Sequence, residues 1–213
     1  MTGRADRAEG ADTAERPRRR PGGRTARVRE KTLKATLELV ARHGVDGFRY
    51  EQVAELAGVH KTSVYRNWPD RDQLVSEALL QVGERESPVE DTGDLRRDLA
   101  GLLVSHSVAL LTPTGVALQH ALQPGAASEA VKGVLDAYYT ERVAAVRERV
   151  EGAADEERPP PGVDTGFLLQ MLSGPVHFHR FRTGRPLPRA EAERIVDVVL
   201  AGLRATAERE DQP

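Results

Sequence analysis

Large apolar residues are almost absent from the first 23 positions and then recur at three- and four-residue intervals to the end of the chain. Val28, Leu33, Leu37 and Val40 open the pattern, and a stripe of that period buries one face of an α-helix. With Thr25 as N-cap and Gly44 as a left-handed terminator, the spacing predicts a first helix from 25 to 43. A short second helix, about 51–57, turns Val53, Ala54 and Ala57 inward. Gly58 breaks it, and a third follows over about 61–68 until Pro69, which disfavours a helical residue before it. Asp70 caps a fourth, carrying Leu74, Val75, Ala78, Leu79 and Val82.

The second half repeats the helical period. Leu95, Leu99, Leu102, His106 and Leu110 share a stripe over 94–111, and a shorter helix follows Pro113. A long one over 127–151 aligns Val131, Leu135, Tyr138, Arg142 and Val146. The proline-rich stretch at 152–163 reads as a loop, and two helices follow, over 164–183 and 189–209. No alternating strand pattern and no internal repeat is present, so the fold class is all-α. Three units are expected: a disordered arm over 1–23, a helix-turn-helix domain over 24–70 and a helical domain over 71–213.

The stretch "VAELAGVHKTSVYRNWPDRDQL" carries the chemistry. Two short helices around a glycine make a helix-turn-helix. Small Ala54 and Ala57 let the helices cross closely, and Gly58 tolerates the left-handed turn. The second helix then presents its first turn to a major groove. Its polar positions are Lys61, Thr62, Ser63, Tyr65, Arg66 and Asn67, side chains able to meet phosphates and base edges. The competing reading is a structural helical hairpin, whose solvated face would more often carry Glu and Lys.

Charge sharpens this. The net charge of −2 hides an asymmetry. Residues 16–71 hold 14 Lys and Arg against 6 Asp and Glu, which leaves 17 against 27 of the chain's 31 and 33 elsewhere. A basic module that meets an anion, joined to an acidic one, is the arrangement expected of a nucleic-acid binder; the other reading is a chance run of arginines in an Arg-rich protein. "RPRRRPGGR" supplies a basic arm before the first helix, either a backbone contact or a solvated tail. Cysteine is absent, which excludes disulfides, zinc-thiolate sites and thiol catalysis. The start lacks a signal-peptide core and no apolar run is long enough to span a bilayer, so a cytoplasmic protein is expected.

The segments "TLKATLELVARHG" and "YEQVAELAGVHKTSVYRNWPDRDQLVSEAL" resemble the TetR family of bacterial transcriptional regulators over about residues 25–80. "YRNWPDRDQL" is similar to the subgroup whose recognition helix ends in Tyr-Arg-x-Trp-Pro, and the stretch from Leu168 to Leu203 resembles that subgroup's C-terminal domain. The resemblance implies DNA contacts from Lys61, Thr62, Ser63, Tyr65, Arg66, Asn67 and Arg71, with Arg49, Tyr50 and Glu51 near the other strand. Arg49 and His60 depart from the family's usual hydroxyl residues, which weakens capping there; Trp68 stands for the usual Phe and is expected in the core.

The resemblance further implies a dimer and a small-molecule pocket in the C-terminal half. Pocket candidates are Leu102, His106, Leu110, Leu118, Leu122, Tyr138, Phe167, Met171 and Phe178, residue types that are more often plain core than ligand contacts. The helix over 164–183 is apolar on several faces and must be covered on all of them. Val176, Ile195, Val199, Gly202 and Leu203 are the dimer-interface candidates. Catalysis is not expected: His177 and His179 point to opposite sides of a helix, and no phosphate loop or nucleophile–base pair appears. No cofactor or metal is expected. The partners expected are double-stranded DNA, a second copy of the chain and an unidentified small-molecule effector. The reading is a one-component, ligand-released repressor on a palindromic operator. The alternative is a helical ligand- or partner-binding protein whose head no longer reads DNA.

Overall fold

The computed structural model describes residues 22–83, 89–123, 125 and 128–210. Among the described residues the chain forms nine helices and no strand: α1 (Gly22–His43), α2 (Tyr50–Ala57), α3 (Lys61–Asn67), α4 (Arg71–Gly83), α5 (Leu95–Ala109), α6 (Pro113–Ala121), α7 (Glu129–Glu151), α8 (Thr165–Thr183) and α9 (Arg189–Glu210). The all-α expectation is met. Thr25 is not an N-cap, because α1 already runs from Gly22. The basic arm otherwise lies outside the described residues, as does the side chain of Val82.

Local chemistry sets most of the ends. Asp94, Thr112, Ser128 and Asp164 each accept a backbone N–H from the first turn of α5, α6, α7 and α8. Such a cap satisfies a donor that the helix itself leaves without a partner. Gly44, at φ 80°, closes α1 with its N–H on Val40 O at 2.8 Å. Asp70 Oδ1 accepts from Asp72 N at 3.3 Å and so caps α4.

Two apolar cores result. The first joins α1–α4 to α6 and the start of α7 through Ala117, Leu118, Ala121, Val131 and Leu135, so it crosses the boundary expected at 70/71. The second unites α5, the end of α7, α8 and α9 around Leu99, Leu103, Val146, Leu172 and Val196. Inside the second core Arg149 of α7 meets Asp98 of α5, with Nε and Nη2 each 2.6 Å from Oδ2. Thr92 adds its N–H and hydroxyl to the same carboxylate. Burial pushes the Asp98 carboxyl up, but these hydrogen bonds and the guanidinium outweigh it and hold the group below its ordinary range. No single helix among the described residues is long and apolar enough to cross a membrane.

Candidate nucleic-acid interface and effector cavity

The head is built to hold α3 from one side. After α2, Gly58 turns the chain at φ 65°, and Val59 N–H returns to Ala54 O at 2.9 Å. Val64 and Trp68, one helical turn apart, are buried in the first core. The Trp68 Nε1–H donates to Glu77 Oε2 of α4 at 2.9 Å, while Glu77 Oε1 accepts from Arg29 of α1 at 2.6 Å. The opposite face leaves Lys61, Thr62, Tyr65, Arg66 and Asn67 exposed and Ser63 half-buried. Among the described residues, no ion pair engages Arg49, Lys61 or Arg66. Their charge faces outward, uncompensated among the described residues.

Several of the expected contact residues also have work within the head. The Tyr65 ring lies 4.6 Å from the Tyr50 ring, and its hydroxyl donates to Glu51 Oε1 at 3.4 Å. Asn67 Nδ2 donates to Ser63 O at 2.9 Å. Arg71 is half-buried: Nη1 donates to Asp46 O at 3.0 Å, and its guanidinium lies 5.3 Å from the Phe48 ring centre. Arg49 is the N-cap of α2 and lacks a capping side chain, as its residue type requires. Gln52 compensates in part, its Oε1 accepting from Arg49 N at 2.8 Å.

Tyr50 corrects the sequence reading. It is 7% exposed, part of the first core, and its hydroxyl is buried without a hydrogen-bond partner among the described residues. Burial raises its pKa. The ring lies beneath that of Tyr65 and is buried in the head, not on the exposed face of α3.

A cavity of about 260 Å³ lies among α5, α6, α7 and α8. Leu102, His106, Leu110, Leu118, Leu122 and Tyr138 line it, all six read as pocket candidates. Phe167, Met171 and Phe178 do not line it and stand exposed on the outer face of α8. The cavity side of α8 is instead Leu169, Ser173 and His177, at four-residue spacing. Those three, with Arg142 and Gln119, were missed as lining residues. The one local signal was Arg142, a cation on an otherwise apolar helical stripe.

At one end His106 Nε2 lies 3.3 Å from His177 Nε2, the rings edge-on at 5.1 Å. Burial, then the neighbouring His177 and Arg142, pushes His106 down to about 4. Burial and Arg180 lower His177. Both shifts favour the neutral imidazole, and the two Nε2 atoms lie within hydrogen-bond distance, with donor and acceptor set by the tautomers.

The dimer candidates also divide. Val176 is fully buried in its own subunit's second core, so it is unavailable to a partner. Ile195, Val199 and Leu203 are half-buried against that same core, and only Gly202 is open. What α8 does expose is a stripe of Phe167, Met171, Gly174, Phe178 and Phe181, with Phe178 63% and Phe181 85% accessible. On α9 the exposed counterpart is Val198, Ala201, Gly202 and Ala205.

The chain matches two family models: residues 33–78 that of bacterial regulatory proteins of the tetR family, and residues 89–199 that of the tetracyclin repressor-like C-terminal domain. It is 30% identical over 179 residues to the HTH-type transcriptional regulator AqdR of Rhodococcus erythropolis, spanning 84% of this chain and 86% of that protein. It is 31% identical over 174 residues to the DNA-binding transcriptional repressor TetR of Mycobacteroides abscessus, spanning 79% and 89%. Among solved structures, the TetR family transcription regulator SCO0332 matches with a TM-score of 0.56 at 29% identity, over 82% of this chain and 97% of that one.

Proposed function

The chain belongs to the TetR family of bacterial transcriptional regulators, and from that we propose that it works as a dimeric repressor released from a near-palindromic operator by a small molecule. The observation that carries this reading is the division of α6. Leu118, Gln119 and Leu122 at its end line the cavity, while His120 Nδ1 lies 3.1 Å from Val40 O on α1 of the head. Ala117 and Ala121 on the same helix are buried in the head's core. An occupant that moves α6 thereby tilts α1, and with it α3.

The α3 face supplies the DNA contact, with Lys61, Thr62, Ser63, Tyr65, Arg66 and Asn67 toward the groove and Arg49 and Arg71 toward flanking phosphates. The α8 stripe through Phe178 and Phe181 and the small residues of α9 pair with their copies in a second subunit, which covers apolar surface that a monomer leaves in water. Two recognition helices then sit roughly 34–36 Å apart, one turn of duplex. The ligand releases the operator only by binding the two head spacings unequally. Shifting the population from mostly bound to mostly released takes about 5 kcal/mol of differential affinity.

Selection of sites from a random duplex library by the purified protein tests the reading. Recovery of a two-fold symmetric sequence supports it. Recovery of nothing above background at low salt, without ligand, overturns it in favour of a helical binding protein whose head no longer reads DNA.

A further inference from the structure

Seven leucines line the cavity, and among the described residues no Asp or Glu does. Most of the polar groups in the lining are committed. Gln119 Nε2 donates to Leu110 O and Gly115 O at 3.2 and 3.1 Å, and the Tyr139 hydroxyl donates to Gly166 O at 3.2 Å. Tyr138 and Arg142 line the cavity and are engaged as well. His106 on α5 and His177 on α8 differ, because the Nε2 of each faces the Nε2 of the other, at 3.3 Å. In a neutral imidazole one ring nitrogen donates and the other accepts. Two of them bonded through Nε2 therefore place one donor and one acceptor side by side on the cavity wall. Burial lowers the pKa of both, which favours that neutral form.

We propose that the cavity takes an uncharged apolar alcohol or phenol, whose hydroxyl bridges His106 Nε2 and His177 Nε2 and whose hydrocarbon lies along the leucines. This rests on the effector reading of the cavity and deepens it. The geometry suits a single oxygen: with the nitrogens 3.3 Å apart, an atom about 2.9 Å from each closes a triangle. A hydroxyl there accepts from the Nε2 that carries a proton and donates to the one that does not. An ether or a ketone can only accept, so the second nitrogen would lose the bond to its neighbour and gain none. A charged head would have to leave water for a leucine-lined space. An ammonium meets no carboxylate along the lining, and a carboxylate would have to draw Arg142 out of the interaction it already has. The size agrees: a cavity of about 150 Å³ holds benzene, so one of about 260 Å³ holds roughly ten heavy atoms. An octyl alcohol has about nine.

Calorimetric titration of the full-length protein, without DNA, compares 1-octanol with its isomer heptyl methyl ether, with octanoate and with octylammonium. Octanol is expected to bind about fivefold or more tighter than the ether, a difference of ~1 kcal/mol, and the two ions more weakly than either. His177→Leu should bring octanol down to the level of the ether and leave the ether where it was; a collapsed cavity would lose both. His177→Gln, which keeps a donor and an acceptor, should restore part of the octanol preference. Leu169→Trp, which fills the cavity from α8, should abolish octanol binding. The proposal is overturned by the ether or either ion binding as tightly as octanol, by no probe binding, by an octanol preference that survives His177→Leu, or by octanol binding to Leu169→Trp. Operator release is read separately. Selective octanol binding that leaves the operator complex intact would defeat the ligand-released reading and spare this one; release by another ligand, with no octanol binding, would do the reverse.

Discussion

The indole N–H of Trp68 donates to the Glu77 carboxylate at 2.9 Å, which ties the end of the recognition helix to α4. The other oxygen of that carboxylate accepts from Arg29, but Arg29 is largely exposed and such a surface pair is worth little. The buried indole decides the energetics. Glu77→Ala leaves its donor without a partner, at a cost of about 1–3 kcal/mol. Glu77→Gln keeps an acceptor and should cost less than half of that. Trp68 is the chain's one tryptophan, so its emission reports this site alone. Glu77→Ala should shift it to the red and lower the denaturation midpoint. An unshifted spectrum with full stability would show that the hydrogen bond holds nothing.

Tyr50 and Tyr65 are ring neighbours with opposite exposures, and substitution should separate them. The Tyr50 hydroxyl is buried without a partner among the described residues, so Tyr50→Phe removes an unsatisfied polar group and should leave stability equal or higher. Operator affinity should stay within about twofold, or ~0.4 kcal/mol. Tyr65→Ala and Arg71→Ala should both weaken the operator complex with the dimer intact, and Lys61→Ala should reduce the salt slope of binding by about one. Filter binding across a salt series measures all four. A Tyr50→Phe protein that lost operator affinity would return that residue to the DNA surface.

The α8 stripe gives a test of assembly. Phe181 is 85% exposed and contributes to neither core, so Phe181→Glu should leave the subunit folded. A charge there, facing its copy, should move the protein from dimer to monomer at micromolar concentration, as measured by sedimentation equilibrium. Helicity by circular dichroism should be unchanged. Unaltered dimerisation would place the partner elsewhere.

The helices were legible because what makes them is local. A cap such as Asp70, left-handed Gly44 and Gly58, and apolar residues every third or fourth position all act within a few residues. The faces were less legible. α8 is apolar nearly all round, so its sequence offers no polar side to orient it. Its three stripes, toward the core (Leu168, Leu172, Val176), the cavity (Leu169, Ser173, His177) and the outside (Phe167, Met171, Phe178), separate only once α5 and α7 are docked. The burial of Tyr50 was not legible for a related reason: the motif gives its position, but not that its ring turns inward beneath Tyr65. His106 stood out as an ionisable group on an apolar stripe, whereas its partner His177, 71 residues away, could not be paired with it before the fold was known.

That pair gives the chain a pH dependence. His106 falls from its ordinary 6.5 to about 4 on folding, by burial first and then by the neighbouring His177 and Arg142. A group whose folded pKa is depressed binds its proton more readily in the unfolded chain. Between the two values the unfolded state therefore carries more protons, and stability rises with pH. The contribution is fully present above about pH 6.5, fades as pH falls, and is gone near pH 4. At about 1.4 kcal/mol per unit its ceiling is ~3 kcal/mol, and the lowered His177 acts in the same direction. His106→Leu removes one titrating imidazole but also a hydrogen bond, so its absolute stability is a poor readout. The slope is the useful one: between pH 7 and pH 5 the wild-type melting temperature should drop, and the drop should be clearly smaller in His106→Leu. Parallel pH profiles for the two proteins would mean that His106 is as readily protonated in the folded chain as in the unfolded one.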